Sequence, residues 1–308
     1  MAYWNQRTVA KRASCTGVGL HSGRPATLTL APAPTDAGIT FVRMDVGVEI
    51  PARSEHVVDT TLSTSLGNGK TRLATVEHVM AALHGMGIDN CRVEVDGPEI
   101  PILDGSAAPF TCLIHEAGIR LLPAGKRYLV VERSVEIRDG DKLARLDPAD
   151  EFSIDFTADF DHPLITNQSF RMALSDRSFE REVARARTFC FLKDIERMQA
   201  MGLARGGSLE NAIVVDEFSI LNPEGLRYPD EFARHKVLDA IGDLALLGLP
   251  VVGHLSAVKS GHALNQALVR KVLADASAFR VIRVSAEADV PAVRARIPAV
   301  AVSGGTLA

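Results

Sequence analysis

Two short segments carry side chains able to hold a hydrolytic metal. Thr75-Val76-Glu77-His78 offers an imidazole beside a carboxylate, and His235-Lys236-Val237-Leu238-Asp239 offers an imidazole and a carboxylate four residues apart. On a helix, that spacing stacks His235 and Asp239 on one face. Two imidazoles and one carboxylate, with a fourth position left to water, are the ligands of a hydrolytic zinc site, where the ion acidifies the bound water. His78 is remote in sequence from the other two, so only the fold can unite them. H-x-x-x-D arises often by chance, and a solvated polar stripe is the competing explanation.

Helical phase separates the two explanations. Val76, Val79, Met80 and Leu83 share one side of a helix, and His78 falls opposite them with Ala81, Ala82 and Gly85. A stripe of small residues invites close approach by another element. The second segment repeats the arrangement: Val237, Leu238, Ile241, Leu244 and Ala245 form an apolar face, and His235, Asp239 and Asp243 form a stripe behind it, flanked by Phe232 and Lys236. A solvated face more often alternates Glu and Lys. If the two back faces meet, three ligands converge between domains, a preferred location for active sites.

The elements that must position these groups are legible in outline. From Gln6 to about Val95 the chain reads as short strands with turn punctuation, then a helix from about Thr75 to Gly85 and a strand from Ile88 to Val95. A second helix follows Asp104-Gly105-Ser106, with Phe110, Leu113, Ile114 and Ala117 on one face. Pro123-Ala124-Gly125-Lys126 is the best linker, dividing 1–124 from 125–308. Beyond it, Tyr128–Ile137 and Lys142–Leu146 read as a hairpin turning at Asp139-Gly140-Asp141. Strands at Phe152–Phe160 and Gln168–Met172 precede helices near Phe179–Arg187 and Lys193–Met201. A strand at Ala212–Asp216, a helix at Glu231–Leu247, a strand at Pro250–Val258 and a helix from Gly261 to about Ala276 complete the pattern. The tail from Phe279 reads as one strand and a loose end. Strands then helices, twice, predict an α+β fold of two similar domains, each a small sheet packed on helices.

Bulk properties remove several classes. The 308 residues suffice for two cores, and 46% hydrophobic with 23% charged residues is ordinary soluble composition. With 34 basic and 38 acidic residues the net charge is −4, so no global field recruits nucleic acid. The four cysteines form no C-x-x-C pair, which argues against a cysteine zinc site and a disulfide framework. Met1 to Lys11 lacks the apolar centre of a secretory signal, and no apolar run approaches a membrane span. The expectation is a monomer in the cytoplasm with at most peripheral membrane contact.

Seven collinear motifs then carry a specific resemblance. They are Gly17-Val18-Gly19-Leu20-His21, Thr75 to His78, Ile100 to Phe110, Ala186-Arg187-Thr188-Phe189, Gly206-Gly207-Ser208, Arg234 to Asp243, and Lys259 to Asn265. From about Gln6 to Asn265 the chain resembles the UDP-3-O-acyl-N-acetylglucosamine deacetylases, zinc amidases of lipid A biosynthesis. The resemblance implies an active site between two α+β domains, with Zn2+ held by His78, His235 and Asp239. It implies Glu77 as general base, His262 as acid or electrostatic partner of the leaving amine oriented by Asp243, and Thr188 with Lys236 at the oxyanion. It places the acyl chain in an insert of the second domain, where the segment Thr188 to Gly207 carries Phe189, Phe191, Leu192, Ile195 and Met198 at helical spacings and Gly206-Gly207 permits close approach. Lys142, Phe160 and Lys259 match the uridine diphosphate end, and Leu62 the substrate mouth, where Ser63 replaces a cysteine of some relatives. The tail after Phe279 departs from the resemblance. Two rival readings stay open: a zinc deacetylase of another N-acyl sugar nucleotide, and a non-catalytic α+β binding module.

Overall fold

The computed structural model describes residues 4–284. Its first half is built on a five-stranded mixed sheet in the order Ala13–Val18, Pro25–Pro32, Cys91–Val95, Ile39–Arg43, Val48–Pro51. Strand Pro25–Pro32 shows why it forms: Ala26, Leu28 and Leu30 point into the core at alternate positions, while Thr27 and Thr29 face the solvent side. Helix α1 (Glu77–Gly85) and helix α2 (Ala108–Ala117) belong to this half. The returning strand Ile119–Gly125 pairs with Asn5–Val9 and takes up Pro123, Ala124 and Gly125, three of the four residues expected as a linker.

The second half carries a seven-stranded mixed sheet centred on Val251–Val258, which pairs antiparallel with Lys142–Asp147 and parallel with Phe152–Ala158. Its helices are α3 (Asp176–Glu182), α4 (Leu192–Ala200), α5 (Glu231–Leu244) and α6 (His262–Ala274). Phe189–Phe191 and Ile213–Val215 pair in parallel on either side of α4, making the insert a small β-α-β unit. The architecture is α+β, as expected, with several small sheets and six helices among the described residues.

Two expected elements differ. Tyr128–Ile137 is not one strand: Arg127–Val131 pairs with Val251–Val258 and Phe279–Arg283, whereas Val135–Asp139 pairs with Lys142–Asp147. The break falls where Glu132 and Arg133 give their backbone N–H groups to Ala278 O instead of a ladder. The helix expected near Phe179–Arg187 starts earlier, at Asp176, because Ser175 and Ser178 form a reciprocal capping box. It ends before Val183, and Ala186 to Thr188 follow outside any helix or strand, against His235 and Glu231 of α5. The end of the tail, residues 285–308, lies outside the described residues.

Helices α1 and α5 pack directly on one another, and one apolar cluster runs through both halves, including Val79 and Leu83 from α1 and Leu238 and Ile241 from α5. The helices touch at Gly242, where an added Cβ would sit 2.1 Å from Glu77 O. Gly85, one end of the small-residue stripe, is covered by the Phe179 ring from α3. The polar back faces of both helices are therefore buried, not solvated.

Candidate metal centre and its cavity

Helix α5 sets His235, Asp239 and Asp243 on successive turns, and all three are buried. Helix α1 delivers Glu77 and His78 from its first turn. The residue before that turn's N-cap, Thr75, holds φ at 61°, an unusual conformation for a β-branched side chain. Its hydroxyl donates to Glu99 Oε1 at 3.0 Å, and the same buried carboxylate accepts the backbone N–H groups of His21 and Ser22. The glycine-rich turn and the start of α1 are thus fixed to one anchor.

Across the helix contact His78, His235 and Asp239 converge, with donor atoms all within 4.8 Å of one another. His235 Nε2 lies 3.3 Å and His78 Nε2 3.7 Å from Asp239 Oδ1. The edge of a tetrahedron with metal–ligand bonds of about 2.0–2.1 Å is roughly 3.3–3.4 Å, so these separations suit a zinc-sized ion. Asp239 Oδ1 is buried with no hydrogen-bond partner among the described residues. A carboxylate oxygen is rarely left so unless a cation serves it. His235 Nδ1 faces Ala186 O at 3.0 Å, which fixes its proton there and leaves the Nε2 lone pair toward Asp239. Burial lowers the pKa of both imidazoles, that of His78 to about 3, so both are neutral donors at pH 7. Burial opposes ionisation of Asp239, but the Lys236 ammonium, 2.6 Å from Oδ2, and the charged His262 ring outweigh it and hold the carboxylate ionised.

The remaining catalytic candidates surround this cluster. Glu77 Oε1 stands 3.9 Å from His262 Nε2, and Glu77 Oε2 accepts from Thr64 N at 3.0 Å. Burial pushes the Glu77 carboxyl up to about 7. For His262 burial works against the proton, but Asp243, 2.9 Å from Nδ1, outweighs it and lifts the ring to about 9. Asp243 also accepts from Thr64 Oγ1 at 2.6 Å and Asn265 Nδ2 at 2.8 Å, so its orientation is fixed. Lys236 Nζ donates to Asp239 Oδ2 at 2.6 Å. Thr188 N donates to Gly105 O at 2.8 Å, tying the two halves together at the cavity wall. Gly105, at φ +80°, also passes so close to Asn211 O that no side chain fits there.

A cavity of about 840 Å³ opens from this cluster. It is lined by Glu77, His78, Thr188, His235, Lys236, Asp239 and His262, and by the anticipated Leu62, Lys142, Phe160, Phe189, Phe191 and Lys259. Asp243 lies behind His262 and does not line it. Ile195 and Gly207 do not line it either: α4 contributes Asp194, Arg197 and Met198. The tight backbone approach of the Gly206-Gly207 pair falls at Gly206, whose Cβ would meet Gly19 O at 2.3 Å. Phe160 sits in an aromatic cluster, edge-on to Phe189 at 5.5 Å and tilted against Phe191 at 5.7 Å. Lys259 is held between Asp141 and Asp159, at 2.7 and 2.9 Å.

Sequence reading passed over Thr64, Glu99 and Asp159. Hydroxyls and carboxylates outside any motif carry no signal of their own.

Among the described residues no helix is long and apolar enough to cross a membrane. The profile of the UDP-3-O-acyl N-acetylglycosamine deacetylase family matches residues 6–274. Proteins named UDP-3-O-acyl-N-acetylglucosamine deacetylase resemble the chain throughout. That of Anaeromyxobacter dehalogenans is 81% identical over the whole of both chains. That of Myxococcus xanthus is 61% identical over 91% of this chain and 90% of its own. One from Shewanella is 51% identical over 93% and 95% respectively. With its motifs in order, a buried His-His-Asp cluster between its two halves and relatives matched nearly end to end, the chain belongs to the UDP-3-O-acyl-N-acetylglucosamine deacetylase family.

Proposed function

We propose that the chain is a zinc-dependent amidohydrolase that removes the N-acetyl group of UDP-3-O-acyl-N-acetylglucosamine, yielding acetate and UDP-3-O-acyl-glucosamine, an early step of lipid A biosynthesis. The observation that carries this reading is the convergence of His78, His235 and Asp239 with Glu77 and His262 on one cavity. A divalent ion held by the first three would acidify a water and polarise the acetyl carbonyl. Glu77, poised near neutrality, takes the proton of the attacking water. Lys236 and Thr188 line the wall beside the carbonyl and offer positive charge and a hydroxyl to the developing oxyanion. His262, kept protonated through neutral pH by Asp243, delivers a proton to the amine as the C–N bond breaks. A carboxyl raised and an imidazole raised further divide the base and acid roles.

In this reading Phe189, Phe191 and Met198 flank the acyl chain, and Phe160, Lys142 and Lys259 face the nucleotide end. The two domains divide near residue 124, where the pairing of Ile119–Gly125 with Asn5–Val9 closes the first unit. The enzyme works as a cytoplasmic monomer.

The test is metal content and acetate release on purified protein, with acylated and non-acylated UDP-N-acetylglucosamine. One equivalent of zinc and a strong preference for the acylated substrate are expected. Equal rates on both would move the assignment to another N-acyl sugar nucleotide. Iron bound in preference to zinc would change the metal, since a His/His/Asp set also suits Fe2+.

A further inference from the structure

One buried ion pair near the cluster is not used by this chemistry. Arg187 and Glu231 have side chains 1% and 0% exposed, with Nε and Oε1 3.0 Å apart. The pairing is two-pronged, since Arg187 Nη2 also reaches Glu231 Oε2 at 3.3 Å. Arg187 N donates to Glu231 Oε1 at 3.0 Å, and Arg227 N to Oε2. The other guanidinium donors go to Glu224 and to Gly225 O. Stability alone is a weak reason for such a pair, because well-packed apolar residues are often at least as stabilising in its place.

Its position supplies a stronger reason. Glu231 lies one helical turn before His235 on α5, so both project on the same side. Arg187 stands between Ala186, whose carbonyl receives His235 Nδ1, and Thr188, which lines the cavity. The pair therefore locks segment 186–188 in register against the helix that carries two of the three candidate ligands. A fractional slip would move both the acceptor that sets the His235 tautomer and the Thr188 hydroxyl.

We infer that Arg187 and Glu231 form a positioning pair that holds His235 in its metal-binding tautomer and Thr188 at the cavity wall. This rests on the metal-site reading above. Arg187→Lys keeps the charge but loses the planar fork that spans both oxygens. It should fold, bind zinc 10- to 100-fold more weakly in chelator competition, and lower kcat with KM within about twofold. The cobalt(II)-substituted variant should show altered visible bands, reporting changed coordination. Leu129→Ala, a core truncation in a strand away from α5, serves as a control that lowers Tm without changing zinc affinity.

If Arg187→Lys binds zinc and turns over like the unaltered chain, or if Leu129→Ala weakens zinc equally, the inference is overturned. Glu231→Gln carries the same expectations should Arg187→Lys fail to fold. Failure of the unaltered protein to take up zinc would sink the metal reading itself, which separates the two failures.

Discussion

Replacing Gly242 by alanine adds one methyl where α5 touches the backbone of α1 at Glu77. The new Cβ would lie 2.1 Å from Glu77 O and 2.9 Å from its carbonyl carbon, and neither atom can rotate aside. Ordinary contact begins at 3.4 Å, so the helices must part by roughly 1.3 Å. The span from His78 Nε2 to Asp239 Oδ1, now 3.7 Å, would then approach roughly 5 Å, beyond a tetrahedral edge of about 3.4 Å. Stability should fall by about 0–2 kcal/mol. Overpacking costs about 1–3 kcal/mol, while alanine in a helix interior recovers close to 1 kcal/mol over glycine. Catalysis should change much more, because a displacement near 1 Å costs about 100-fold. Thermal melting, zinc affinity by chelator competition and kcat/KM on the same preparation provide the assay. A cooperatively folded Gly242→Ala protein with zinc affinity and kcat/KM within about twofold of the original would show that this contact does not set the spacing of the ligands.

Glu77→Gln should retain one equivalent of zinc and lose about 10²- to 10⁴-fold in kcat, the usual contribution of a general base; metal content and steady-state rates check it. The rate should follow a bell in pH. Its rising limb comes from Glu77 losing a proton at or below about 7, since a bound cation favours the carboxylate, and its falling limb from His262 losing one near 9. Asp243→Asn removes the partner that raises His262 and should move the falling limb toward neutrality, with a smaller effect on the rising limb because Asp243 also bears on Glu77; a falling limb that stays in place refutes that coupling. Met198 is 8% exposed and lines the cavity beside Phe191. Met198→Trp should lower kcat/KM for a long 3-O-acyl chain by ~10-fold or more while sparing a short one, as pocket-volume discrimination allows. Comparing two chain lengths checks this.

What the sequence disclosed depended on whether information resided in side-chain type or in backbone position. Helices α1, α2 and α5 were legible because an apolar face repeats with helical period, with a contrasting stripe behind it in α1 and α5. Composition singled out His235, Asp239 and Asp243, since a solvated stripe has little use for a histidine and two aspartates on successive turns. Tyr128–Ile137 misled because the polar run Glu132-Arg133-Ser134 holds no Gly or Pro to mark an interruption. Its break arises from partners, one end joining Val251–Val258 and the other Lys142–Asp147. Local signals missed in α3 were of another kind: Ser175 and Ser178 are a readable cap.

Around the metal cluster the unreadable parts are mostly main-chain atoms. Ala186 O sets the tautomer of His235, Gly105 O holds Thr188, and Thr64 N steadies Glu77. No residue type announces a carbonyl that will matter, so motif residues identify the chemistry but not what aims it. Arg187 and Glu231 show where the two kinds of information meet. Each is an unremarkable charge in sequence, yet burial at 1% and 0% requires a full set of partners. One of the two backbone groups that Glu231 accepts, Arg187 N, lies on the segment that fixes His235 and Thr188. A charge pair too costly to bury for stability alone, and placed one turn from a candidate metal ligand, is better explained by the geometry it enforces than by the energy it adds.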